Sequence, residues 1–286
     1  MLTTLAAVVL TITCASAAQA VSFRTHVSLT GSDANTATNC SRSSPCRNFS
    51  AAYGVTSPGG EIVALDSAGF GGLTITTSVT ILAIPGQVGL TQVATGTSGI
   101  HVNAGVNDVV ILKNLHFGGS GAASTNGILH SSGKLIIENC AFSQMTNGIL
   151  VNSTNAKALA RYSTFNANTR GAYVTSGTLD LDHCEIAANT TGIRADGAGM
   201  VSITTVVRVS RSDIINNGTG VHMNNAGVRP INDGGCNARN VFFHTGGVNP
   251  HNVNSAGNTV GLLTDGASDI QNCGGQTSIG VYQSAP

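Results

Sequence analysis

From about residue 60 onward the chain is built of short apolar runs broken every few residues by Gly, Asn, Ser or Thr. Six of these runs open on glycine: Gly99-Ile-His-Val, Gly127-Ile-Leu-His, Gly148-Ile-Leu-Val, Gly171-Ala-Tyr-Val, Gly192-Ile-Arg-Ala and Gly220-Val-His-Met. Their spacings are 28, 21, 23, 21 and 28 residues. Between them lies a second alternation, clearest in Leu135-Ile-Ile-Glu-Asn-Cys-Ala-Phe142, whose last residue recurs at Phe117, Phe142, Phe165, Ile186, Ile214 and Phe243. Alternation with a period of two is the pattern of a half-buried strand. Two independent markers that keep one period indicate a structural repeat.

A strand-rich repeat of this length fits leucine-rich or β-helical solenoids, and the leucine scaffold of the former is absent. A β-helix predicts three short strands per coil, with coils stacked about 4.8 Å apart so that equivalent residues form columns. Five residues before the Phe/Ile marker the column reads Leu112, Ile137, Ala160, Leu181 and Val209. Two before it stand Leu115, Cys140, Ser163, Cys184, Ser212 and Val241, and both columns suit an interior. Three before it stand Asn114, Asn139, Tyr162, His183, Arg211 and Asn240, where a sharp turn calls for the left-handed backbone that Asn tolerates.

Four before the marker, Lys113, Glu138, Arg161, Asp182, Ser210 and Arg239 nearly alternate in sign, which predicts ion pairs between rungs. The same pairing is open to Asp180 and Arg208, so the Asp180-x-Asp182-His183 cluster reads as structural rather than as a metal site. Cys140 and Cys184 share a column two rungs apart, roughly 9.6 Å, beyond the roughly 7 Å reach of a disulfide. They read as buried free thiols.

The unit I-x-N-small-x-F, followed by G-I-x-V, resembles the coil of right-handed parallel β-helix proteins of the pectate-lyase-like superfamily. The block Pro45-Cys46-Arg47-Asn48-Phe49-Ser50-Ala51-Ala52-Tyr53, with Gly59 to Asp66 and Leu73 to Ile81 after it, is similar to the cap helix and first coils of secreted bacterial members. The resemblance implies an all-β fold: a right-handed parallel β-helix with a short N-terminal cap helix over Phe49 to Val55. It implies no single activity, because this solenoid hosts lyases, hydrolases, esterases, adhesins and binding surfaces. The expected organisation is a signal peptide over 1–20, an N-terminal cap over 21–59, coils over 60–254 and a C-terminal cap over 255–286.

The apolar run Leu2 to Ile12 followed by Ala18-Gln19-Ala20 has the form of a cleaved export signal, and no run approaches the length that spans a bilayer. A secreted protein without membrane insertion is expected. A lipid anchor through Cys14 is disfavoured by Thr13 and Thr11. Export permits disulfides. Cys40 and Cys46 are the expected pair, enclosing a small loop worth about 2 kcal/mol, and Cys236 with Cys273 is a candidate pair for a longer one, the pairing of the later cysteines being left open by the sequence. Thirteen basic and thirteen acidic residues balance, and charged residues make up only 9% of the chain. No electrostatic footprint for nucleic acid follows. Neither a cofactor nor a metal is expected. Asn-x-Ser/Thr acceptors such as Asn189-Thr-Thr matter only in a host that glycosylates.

In enzymes that the resemblance brings in, catalysis sits on the outward face of the strand after glycine. Two residues after glycine that column reads His101, Leu129, Leu150, Tyr173, Arg194, His222. Four after, it reads Asn103, Ser131, Asn152, Thr175, Asp196, Asn224. Tyr173, Arg194, Asp196, His222 and Asn224 therefore form the candidate patch, weighed against a solvated face with an Arg194–Asp196 ion pair. Asp196 alone argues against two-carboxylate glycoside hydrolysis on this face. A metal-free lyase remains, with Tyr173 or His222 taking the proton α to a uronate carboxylate and Arg194 neutralising that carboxylate. The leading expectation is a β-helix that binds polysaccharide or cell-surface glycan without an assigned activity. The alternatives are that lyase and a structural or adhesive surface protein.

Overall fold

A computed structural model describes residues 21–119, 125–196 and 205–224, with the short strands 241–243, 253–254 and 262–264. The expected signal peptide, Cys14, Cys236 and Cys273 lie outside the described residues. Every strand pairing is parallel, and the strands form one fourteen-stranded and one eight-stranded sheet. Together they make the three faces of a β-helix. The first face carries the strands after glycine, such as Ser98–Asn103 and Thr191–Asp196. The second holds Val79–Ala83, Val109–Lys113 and Thr205–Ser210. The long strands Asn126–Glu138, Asn147–Arg161 and Arg170–Asp182 bend across both. The third face is the eight-stranded sheet, including Leu115–Gly119, Ala141–Ser143, Thr164–Asn166, Glu185–Ala187 and Ser212–Ile215.

The columns read from the repeat are physical neighbours. Leu112, Ile137, Ala160, Leu181 and Val209 are at most 1% exposed and lie in strand register. The Phe rings stack almost parallel, Phe117 on Phe142 at 4.8 Å and Phe142 on Phe165 at 4.7 Å. Ile186 and Ile214 continue that column. One continuous core runs the length of the coils.

Glycine recurs because two backbones meet there. A Cβ on Gly127, Gly148, Gly171 or Gly192 would sit 2.5–2.7 Å from the carbonyl oxygen of the next glycine in the ladder. The turn column is left-handed as expected, with φ of 56°, 53°, 51°, 50° and 47° at Asn114, Asn139, Tyr162, His183 and Arg211. A second left-handed corner lies two residues after the Phe/Ile marker, at Gln144, Ala167, Ala188 and Asn216. There a ladder of buried amides replaces the missing strand bonds. Asn189 Nδ2 donates to Phe165 O and Asn217 Oδ1, both at 2.9 Å, and its Oδ1 accepts from the Asn168 backbone at 3.0 Å. With its amide consumed and only 3% exposed, Asn189 is closed to glycosylation in the folded chain.

Three column assignments shift. Val241–Phe243 pairs with Val207–Val209 on the second face, so Phe243 follows Val209 and not Ile214. The next third-face strand after Ser212–Ile215 is Val253–Asn254. The coil is longer there than its predecessors, so counting back from Phe243 misplaces Val241, while Arg239 and Asn240 lie outside the described residues. Four residues after glycine the register also slips, pairing Asn103 with Ser132 and Asn152 with Ser176, because the corners differ in length. Finally, Glu138 takes both Lys113 (2.6 Å) and Arg161 (3.0 Å), and Asp180 takes Arg208 (3.0 Å), but Asp182 turns to Arg211 (2.7 Å) and not to Arg161.

At the N-terminal end, strand Ser22–Val27 joins the fourteen-stranded sheet beside Thr56–Ala64. Its outer edge is covered by the loop closed by the Cys40–Cys46 disulfide, through hydrogen bonds between His26 and Cys40 O and between Cys46 and His26 O. Covering an open edge this way removes a template for unwanted strand addition. The helix Phe49–Gly54 follows, with Phe49 packed on Phe70. Cys140 and Cys184 are buried free thiols, and burial pushes them up to about 12 and about 11, so both stay protonated.

His130 is fully buried in the first face between Val102 and Val151, and its Nδ1 has no partner. Burial lowers its pKa from 6.5 to about 4. The unfolded chain takes up this proton near pH 6.5 and the folded chain only near pH 4. The contribution is therefore complete above pH 6.5 and is lost as pH falls toward 4, by up to about 3 kcal/mol. In urea unfolding at pH 7.5 and pH 4.5, His130→Val is expected to flatten this acid-side loss; an unchanged difference from wild type across that range would contradict it.

Candidate functional site

The first face carries the candidate patch because glycine starts each strand inside the ladder and alternation then turns the second residue outward. Strand register places Leu129, Leu150, Tyr173, Arg194 and His222 in one outward column and puts Asp196 beside Asn224. The predicted residues are therefore adjacent along three rungs. Isoleucine or alanine at the inward positions, Ala172, Ile193 and Ala195, anchors the strand beneath them.

Within the patch, Asp196 is the hub. Tyr173 donates its hydroxyl to Asp196 Oδ2 at 2.6 Å. Arg194 Nε reaches the same carboxylate at 2.9 and 3.1 Å. The Arg194 and Asp196 side chains are 26% and 19% exposed, so the pair is only partly screened by solvent. The Arg194 guanidinium also lies 5.5 Å from the Tyr173 ring centre. Burial, then the hydrogen bond to Asp196, raises the Tyr173 pKa above its usual value. Its phenol stays protonated at neutral pH, which disfavours it as a proton acceptor. His222 is half-buried beside Arg194 and makes no hydrogen bond or ion pair among the described residues.

One residue of this arrangement lay outside the columns taken for the patch. The Arg170 guanidinium sits 4.9 Å from the Tyr173 ring centre, closer than that of Arg194. It belongs to the column immediately before each glycine: Ser98, Asn126, Asn147, Arg170, Thr191 and Thr219. Every member is polar, and this was the signal available in the sequence. In the structure it forms a chain of hydrogen bonds, from Asn126 to Ser98 Oγ (2.9 Å), Asn147 to Asn126 Oδ1 (2.8 Å) and Arg170 to Asn147 Oδ1 (3.2 Å). Arg170 has no carboxylate partner among the described residues. The tyrosine is thus gripped by two guanidinium groups and one carboxylate, a rigid amphipathic ring with a cationic border.

The Asp180-x-Asp182-His183 cluster serves packing. Asp182 accepts from Ser210 and from Arg211 through two nitrogens, and His183 stacks on Tyr162 at 4.9 Å. Among the described residues no three His, Cys, Asp or Glu side chains gather to hold a metal ion. Nor does any described helix have the length and apolarity to cross a membrane.

Neither a protein-family model nor a curated protein matches the sequence. Among solved structures, the chain is similar to the crystal structure of pectate lyase Pel9A, with a TM-score of 0.58 and 16% identity over 74% of this chain. The chain spans 62% of the length of that lyase. The likeness shows the fold, a pectate-lyase-like right-handed parallel β-helix, in keeping with the parallel three-faced coil seen here.

Asp196→Asn would remove the charge that, together with burial, raises the Tyr173 pKa, while leaving the two guanidinium groups in place. In spectrophotometric titration the Tyr173 phenol is expected to ionise at lower pH in this variant than in wild type. An unchanged titration would show that Asp196 does not govern the ring.

Proposed function

We propose that the protein contacts polysaccharide or cell-surface glycan through the first face, with Tyr173 as the platform and Arg170, Arg194, Asp196, His222 and Asn224 around it. The observation that carries this reading is the fixed Tyr173–Asp196–Arg194 arrangement on the outward face. A ring immobilised before a ligand arrives loses little entropy on stacking against a sugar. Hydrogen-bonding side chains on successive rungs then offer partners to hydroxyl groups along an extended chain. Secretion follows from the same reading, supported by the Cys40–Cys46 disulfide and the expected export signal.

A second reading, favoured by the likeness to a pectate lyase, is cleavage of a uronate polymer. The engaged phenol of Tyr173 turns that mechanism toward His222 as the group that takes the proton, with Arg170 or Arg194 facing the uronate carboxylate.

A glycan array followed by calorimetry on the best ligand tests the first reading. Tyr173→Ala is expected to weaken binding about 5- to 30-fold, since losing an aromatic anchor commonly removes about 1–2 kcal/mol. Equal affinity in wild type and variant would overturn the assignment. Release of unsaturated product from acidic polysaccharide, lost in His222→Ala, would instead establish the lyase.

A further inference from the structure

In-register parallel stacking puts charges of neighbouring rungs side by side, and most columns answer with opposite signs: Lys113–Glu138–Arg161, Asp180–Arg208 and Arg24–Glu61. Two strand columns do the reverse. On the second face Lys134 lies in register with Lys157, and on the third face Glu185 lies in register with Asp213. All four side chains are exposed, and none has an ion pair or side-chain hydrogen bond among the described residues. Like charges on adjacent strands repel, so neither pair helps the isolated coil.

The surroundings of the two pairs match as well. Two residues along the strand from the lysines, the same outward column holds Ile136 beside Leu159, both half-buried. Two residues along from the carboxylates stand Ala187, which is buried, and Ile215, which is half-buried, again in register. Each patch is therefore two like charges one rung apart with half-buried aliphatic surface next to them, Ile136 and Leu159 in one and Ile215 in the other, and the two patches carry opposite sign. Both lie off the face that carries Tyr173.

We propose that these patches are the two halves of an interface between copies of this chain: Lys134 and Lys157 of one molecule meet Glu185 and Asp213 of another, and Ile136 and Leu159 are covered together with Ile215. The contact is heterologous, so one molecule offers a free patch of each sign after pairing. The shared rung spacing lets both charge pairs form at once. Association of this kind weakens with salt and depends on both patches equally.

Sedimentation equilibrium of the purified protein tests this, at concentrations up to about 1 mM and in about 0.1 M and about 1 M salt, where the Debye length falls from about 10 Å to about 3 Å. Wild type is expected to associate at the lower salt and to dissociate at the higher. The reversals Lys134→Glu/Lys157→Glu and Glu185→Lys/Asp213→Lys should each lower the association constant about tenfold or more. Mixed in equal amounts, the two reversed proteins should associate again, because one then presents only acidic patches and the other only basic ones. If a reversal disturbs the fold by circular dichroism, the neutral versions Lys134→Gln/Lys157→Gln and Glu185→Gln/Asp213→Asn replace it, with the same loss expected. A wild type that stays monomeric throughout, association untouched by both changes, or a mixture of reversed proteins that remains monomeric would each overturn the proposal.

Discussion

Parallel stacking of one coil on the next, about 4.8 Å apart, is the constraint from which the remaining features follow. It makes each residue a neighbour of its equivalent two dozen positions away and so converts a repeat in sequence into columns in space. A column must then tolerate its own side chain at close range. Phe117, Phe142 and Phe165 do so by stacking their rings, and the glycine ladder does so by having no Cβ to meet the next carbonyl. Asn168, Asn189 and Asn217 do so by each donating to the next. Charges face the hardest version of the problem, solved by alternating sign in most columns.

Much of this was legible before any coordinates. The interior columns, the left-handed corner through Asn114 and Arg211, the buried thiols and the adjacency of Tyr173, Arg194 and His222 all follow from periodicity, because a strict repeat carries its register with it, whereas the Cys40–Cys46 pair was legible from its short loop. Legibility failed where coil length changes. Phe243 has the right residue type for the Phe/Ile column but sits beside Val209, since nothing in its chemistry distinguishes one interior face from another. The slip at Asn152 has the same origin, a corner that differs in length from its neighbours. The second left-handed corner was hidden for another reason: Gln144, Ala167 and Ala188 are not residues that announce a positive φ, and the buried asparagines beside them hold that turn.

The patch around Tyr173 shows how far columns can carry a functional argument. They brought the right side chains together but were silent on how these bond. That Asp196 accepts from both Tyr173 and Arg194, and that Arg170 reaches back over the ring, depend on rotamers and on a polar column lying just before the glycines. Those details decide the chemistry. A tyrosine already bonded to a carboxylate is better suited to hold a ligand than to remove its proton, which moves the balance toward recognition and leaves His222 as the group on which a lyase would rest.

Cysteine crosslinking across rungs probes the stacking most directly. Lys157 and Thr178 are register partners on adjacent rungs, whereas Lys134 lies one rung further from Thr178. A Lys157→Cys/Thr178→Cys protein should form an intramolecular disulfide on mild oxidation, because adjacent rungs fall within the roughly 4.4–6.8 Å Cα window, and Lys134→Cys/Thr178→Cys should not. Equal crosslinking of both pairs, or of neither, would contradict the coil register on which the fold and the candidate site stand.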